Sequence, residues 1–138
     1  MNVTYRPISP EDFEQVRQLL MDVGWGPRVE DQNRFAQMMR GATRTVVAFD
    51  GNRVVGFGRA LTDGASNGYI STLAVAPGCR RLGIGTELVR RLMDVQAAPG
   101  QLTWVLRAGH GSEEFWSRLG FTRSHCCLLY TSPSPRDS

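Results

Sequence analysis

Hydrophobic positions change period along the chain, and the changes mark out its elements. Val3 to Pro7 alternates as a short strand, and Ser9-Pro10-Glu11-Asp12 then reads as a helix start. Ser9 suits the N-cap, Pro10 the first helical position, and Asp12 can reach back as a capping-box acid. Phe13, Val16, Leu20 and Val23 follow at helical spacing until Gly24-Trp25-Gly26-Pro27 ends the run. A second helix is predicted over residues 31–40, with Phe35, Met38 and Met39 inward. The period then shortens to two. Strands are predicted over 45–49 and 53–61, joined by the Asp50-Gly51-Asn52 turn, and over 69–75 after a polar turn at 63–68. A helix opening near Gly83 carries Leu88, Val89, Leu92 and Met93 on one face and breaks at Pro99-Gly100. A strand over 102–106, a short helix over 112–119 and the start of a strand over 121–125 complete the pattern. Strands interrupted by helices in this order predict a mixed α/β sheet with meander and crossover connections.

Composition narrows the class. At 138 residues the chain is sized for one domain. No apolar run approaches the roughly 20 residues of a membrane-spanning helix. The N-terminus lacks a basic-then-apolar export signal, so a cytoplasmic, non-membrane protein is expected. The net charge of +3 suits an anionic small partner, but the arginines are scattered and no nucleic-acid contact is expected. All 16 basic residues are Arg, a pattern of coding bias more than of function. Cys79, Cys126 and Cys127 have no His or Cys at metal spacing, so neither a disulfide framework nor a metal site is expected.

The C-terminal segment breaks from this patterning. Residues 127–137 read Cys-Leu-Leu-Tyr-Thr-Ser-Pro-Ser-Pro-Arg-Asp, a Ser/Pro-rich end not expected to pack as helix or strand. It resembles the transposase mosaic-end adapter of sequencing libraries: translated from its second base, the adapter gives Cys-Leu-Leu-Tyr-Thr-Ser, and its continuation gives Pro-Ser-Pro-Arg-Asp. A natural frayed terminus is the alternative. The expected division is a domain over residues 1–125, shortened at its C-terminus, and an adapter-derived segment over 126–138.

The chemistry concentrates in Leu73-Ala74-Val75-Ala76-Pro77-Gly78-Cys79-Arg80-Arg81-Leu82-Gly83-Ile84-Gly85-Thr86. A strand ends, an Arg/Gly loop follows and an amphipathic helix begins. A helix N-terminus presents unpaired N–H groups and the positive end of the dipole. Gly83 and Gly85 would let phosphate oxygens approach those amides, and Arg80 and Arg81 would add charge-assisted bonds. Glycines in a strand-to-helix loop also serve simply as turn residues. The string is neither a P-loop nor the Gly-x-Gly-x-x-Gly dinucleotide fingerprint.

The arrangement Leu-x-Val-x-Pro-x-x-Arg-Arg-x-Gly-x-Gly resembles the cofactor motif of the GNAT superfamily of acyl-CoA-dependent N-acyltransferases. Phe115-Trp116-Ser117-Arg118-Leu119-Gly120-Phe121 resembles that family's second signature, an aromatic pair followed by Gly-Phe. The resemblance covers about residues 3–125. It implies a mostly antiparallel central sheet, opened between the strand ending at Val75 and the strand over 102–106, with a last strand that is missing, or replaced by the adapter-like segment, if the domain stops at His125. It also implies acetyl-CoA as co-substrate, with no metal. The pantetheine arm would pair with Leu73, Ala74 and Val75, and the pyrophosphate would lie on Arg80, Arg81, Leu82, Gly83, Ile84, Gly85 and Thr86. An N–H near Leu73 or Ala74 would support the oxyanion.

The acceptor implied is an amine, on a small molecule or a protein, attacking the thioester directly with no covalent enzyme intermediate. A homodimer is compatible with this. Tyr69 and Ser71, on the strand leading to the cofactor, are the candidates for ordering the water that removes the amine proton. Trp116 stands where many members carry a Tyr acid, and an indole N–H has no usable acidity. Phe115 and Trp116 are equally readable as core packing of a short helix. Gly109 stands where many members carry Asn, and His110 is either a base or a solvated loop residue. Cys79 reads as packing, Asp63 as a turn residue, and Glu113 and Glu114 as acids at a helix start. These departures leave a non-catalytic acyl-CoA-binding or regulatory domain as the alternative function.

Overall fold

The structure is a computed structural model that describes residues 2–94, 102–107, 112–123 and 128–130. Strand β1 (Val3–Arg6) leads through a 3-10 turn (Pro10–Asp12) into helix α1 (Phe13–Asp22). The capping expectation at this start is met: the Asp12 carboxylate accepts from the Ser9 N–H at 2.9 Å, and the Asp12 N–H donates to the Ser9 carbonyl at 2.8 Å. Gly24, at φ +102°, ends the first helix. The Gly-Pro pair beyond it does not simply break the chain, because Pro27 fits the first turn of a further short helix, α2 (Gly26–Val29). Helix α3 (Gln32–Gly41) follows, its Asp31 cap accepting from the N–H groups of Asn33 and Arg34. Phe35 and Met39 are buried and Met38 half-buried.

Strands β2 (Arg44–Asp50), β3 (Arg53–Thr62) and β4 (Asn67–Val75) form an antiparallel meander. Asp63 fastens the second turn by accepting from the N–H groups of Ala65, Ser66 and Asn67. Helix α4 (Ile84–Met93) carries the chain to β5 (Thr103–Arg107), which lies parallel to β4, and α5 (Glu113–Arg118) precedes β6 (Thr122–Arg123). The sheet order is β1-β2-β3-β4-β5-β7-β6, and β4–β5 is its parallel pair. Strand β7 (Leu128–Tyr130) corrects an expectation. Part of the tail does form a strand, which lies between β5 and β6. Leu-Leu-Tyr precedes the first tail proline, Pro133, so nothing in those three residues forbids a ladder.

Two glycines of β3 set how closely α4 packs. A Cβ on Gly56 would stand 3.0 Å from Ile84, and one on Gly58 would stand 2.8 Å from Leu92. Both α4 side chains are buried, with Leu88 and Val89 between them. The alternating residues Val55 and Phe57 are buried as well, and Arg59, next in that alternation, bonds to a carbonyl of α3. Helices α1–α3 and α4 therefore cover opposite faces of the sheet.

Candidate functional site

Strand β4 keeps its pairing to β3 as far as Val75, but pairs with β5 only from Asn67 to Ile70, against Thr103 to Leu106. Beyond Ile70 the parallel strands part. The register between β3 and β4 shifts at the same place, so that Ser71 is an extra residue between Ile70 and Thr72. The Ala76 N–H donates to the Val55 carbonyl at 2.9 Å, on the β3 side. Because backbone groups alternate between the two edges of a strand, Leu73 and Val75 direct their N–H and C=O groups into the opening.

The loop below the opening is held by geometry suited to its residues. Cys79 is buried, and its N–H closes a 3-10 turn onto the Ala76 carbonyl at 2.8 Å. It packs, as expected. Arg81 adopts φ +67° and Gly83 φ +82°, and Gly83 caps α4. The first helical bond runs from the Glu87 N–H to the Gly83 carbonyl at 3.1 Å. The N–H groups of Ile84, Gly85 and Thr86 thus precede the helical ladder, and a glycine cap has no side chain to receive them. A Cβ on Gly85 would lie 3.3 Å from the Phe115 ring, whereas one on Gly83 would meet no atom of the described residues within 4 Å. Gly85 is therefore demanded by packing. Gly83 is demanded by its φ and by whatever occupies the space beside it.

A cavity of about 690 Å³ joins these parts. Leu73, Ala74 and Val75 line it from β4, and Arg80, Arg81, Gly83, Ile84, Gly85 and Thr86 line it from the loop and helix start. Leu82 does not; it is 59% exposed, and only its backbone belongs to the loop. Tyr69 and Ser71 also lie outside the lining, further up β4. Ser71 Oγ accepts from Arg59 Nη1 at 2.6 Å, and Tyr69 is partly exposed. Among the described residues, Arg80 and Arg81 have no carboxylate partner. Arg118, on the opposite wall, pairs with Glu114 one turn away.

Sequence reasoning did not single out Ser112 or Arg118, which line the cavity together with Phe115. Their three-residue spacing, which aligns them along one face of α5, was the available signal. Val23 and Trp25 close the far side from the α1–α2 connection. Trp116 is buried, edge-on to Phe115 and Phe121 at centroid separations of 5.0 and 5.3 Å, so its ring belongs to the core. Gly109 and His110 lie outside the described residues.

These parts make an α/β domain whose sheet opens between two parallel strands, with a cavity running from that gap to the start of α4. Residues 10–121 match the acetyltransferase (GNAT) family, and the chain belongs to it. Over 77 residues it is 37% identical to a mycothiol acetyltransferase of Rhodococcus erythropolis, a match covering 56% of this chain and 25% of that protein. The chain thus aligns with about a quarter of that relative's length. A GCN5-related N-acetyltransferase structure from Rhodopseudomonas palustris superposes with TM-score 0.75 at 22% identity, covering 96% of both chains. A GNAT family acetyltransferase from Brucella melitensis, solved in complex with acetyl-CoA, superposes with TM-score 0.67 at 18% identity, covering 97% of this chain and 90% of that one.

Proposed function

We propose that the protein transfers the acetyl group of acetyl-CoA to an amine by direct attack. The observation carrying this is the continuity of one cavity from the backbone of Leu73 and Val75 to the amides of Ile84, Gly85 and Thr86. The fit to a thioester of coenzyme A is chemical as well as spatial. The opened β4 edge offers peptide groups to an amide-bearing pantetheine chain, while the helix start, Arg80 and Arg81 offer donors to a diphosphate. Gly83 keeps its side of the loop clear for that group.

In this mechanism the bound thioester supplies the electrophilic acetyl carbon. The Leu73 N–H, facing the gap, donates to the carbonyl and to the oxyanion formed as the amine adds. Arg80 and Arg81 fix the diphosphate and so the position of the thioester. The proton leaves the amine through water ordered at the Tyr69 and Ser71 end of β4. Trp116 supplies no acid, and the departing thiolate takes its proton from water, since an ordinary thiol pKa lies near 8.5.

The burial of Trp116 also favours a second reading, an acyl-CoA-binding domain without turnover. Thiol release from acetyl-CoA across a panel of amines separates the two. Release with at least one amine is expected. Thermal stabilisation by acetyl-CoA without release would leave only the binding domain, and no stabilisation of a folded sample would exclude both.

A further inference from the structure

Arg59 is placed at the opening in a way the reaction so far does not use. Its neighbour Gly58 faces α4, so Arg59 emerges on the face of α1–α3. There its Nε donates to the Met38 carbonyl at 3.4 Å and its Nη1 to Ser71 Oγ at 2.6 Å. Ser71 is the extra residue where β4 leaves β5, and its hydroxyl also lies 3.4 Å from the Arg59 carbonyl. The guanidinium is thereby pinned beside the residue at which β4 leaves β5, just beyond the residues that line the cavity. Two residues of extended chain, about 7 Å, separate Ser71 from Leu73.

The group is half-buried, and burial lowers its pKa from the ordinary guanidinium value. Among the described residues no carboxylate lies within ion-pair reach of it; the ion pairs there belong to Arg6, Arg17, Arg90, Arg91 and Arg118. A partly desolvated cation without a counter-ion is unfavourable, and an anionic ligand group relieves it. Arginine's planar fork matches a carboxylate in particular.

Taking the chain as an amine acetyltransferase, as proposed above, we infer that its acceptor is an amino acid whose carboxylate is held by Arg59. The separation between Ser71 and Leu73 is short enough for a carboxylate on Arg59 and an amine at the thioester to belong to one small molecule.

The test compares, on the full chain, amino acids with the matching carboxamides and decarboxylated amines, for example tyrosine, tyrosinamide and tyramine. The acids are expected to be preferred by about tenfold or more in kcat/KM, mainly through KM. Arg59→Met is expected to collapse that ratio towards one, and Arg59→Lys to restore part of it. Equal rates on acid and amide by the unmodified protein overturn the inference and leave the acetyltransferase standing. Calorimetric titration of the protein–coenzyme A complex with N-acetyltyrosine and its amide gives a second readout independent of turnover. Preference for the acid, lost in Arg59→Met, supports the carboxylate site even if no amine is acetylated. Absence of preference overturns it, and failure to bind coenzyme A overturns the transferase with it.

Discussion

Gly83 separates two demands that usually coincide. Its positive φ favours glycine whatever the function, at roughly 1–2 kcal/mol against most other residues. The space where its Cβ would go, however, holds no atom of the described residues within 4 Å. Asparagine tolerates the left-handed region better than other residues with a side chain. Gly83→Asn is therefore expected to lower coenzyme A affinity at least about tenfold while moving the melting temperature little, and calorimetry with a thermal melt reads both. Unchanged affinity would remove Gly83 from the cradle. Gly85→Ala should instead disturb the Phe115 contact, so its loss of binding would be harder to interpret. Asp12 is a simpler case. Its carboxylate is buried, takes two bonds from Arg6 at 2.7 and 2.9 Å, and caps the first turn through Ser9. Its replacement by Ala should cost about 1–2 kcal/mol in chemical denaturation.

At the scale of elements, close approach decides more than propensity. A Cβ on Gly68 would fall 2.4 Å from the Trp104 ring, on the short stretch where β4 still pairs with β5. A Cβ on Gly58 would press less hard, 2.8 Å from Leu92 Cδ1 and 3.5 Å from Leu73 Cδ1, both ends of flexible side chains and not a ring. Gly68→Ala should therefore destabilise by about 1–3 kcal/mol, and Gly58→Ala by less; equal losses in urea melts would contradict the comparison. Helix α4 carries a pH signature. Glu87 accepts from Arg90 and Arg91, and these bonds bring its pKa down from 4.5 to about 2. A depressed carboxylate pKa contributes stability that is full above 4.5 and lost as pH falls towards about 2. Glu87→Gln should flatten the acid limb of stability across that window, measured by denaturation at successive pH values. The course of α4 was legible from its apolar stripe, and the meander from its turn residues. The parting of β4 from β5 at Ser71 was not, because a register shift depends on which strands pair and leaves no mark on hydrophobic alternation. For the same reason Arg59 read only as a polar residue within a strand.

Over the whole molecule, the least expected feature is a strand drawn from a segment that resembles translated adapter. Residues 105–107 of β5 pair with residues 128–130, and β6 pairs on their other side. Main-chain hydrogen bonding is nearly indifferent to sequence, so an open edge accepts any short run free of proline that can extend beside it. That explains why the tail could be judged unfit from its Ser/Pro content while three of its residues still enter the sheet. It also gives β7 a structural task whatever its origin: without it, β5 and β6 would each present a row of unpaired groups, that of β5 on the edge away from the opening. Residues 1–127 alone are therefore expected to melt at lower temperature than the full chain and to self-associate, as read by light scattering. Replacing residues 128–130 with Val-Thr-Val should preserve both the melt and the monomer, because the ladder and not the side-chain identity does the closing. A cooperative, monomeric melt of residues 1–127 matching the full chain would show that the sheet closes without that strand.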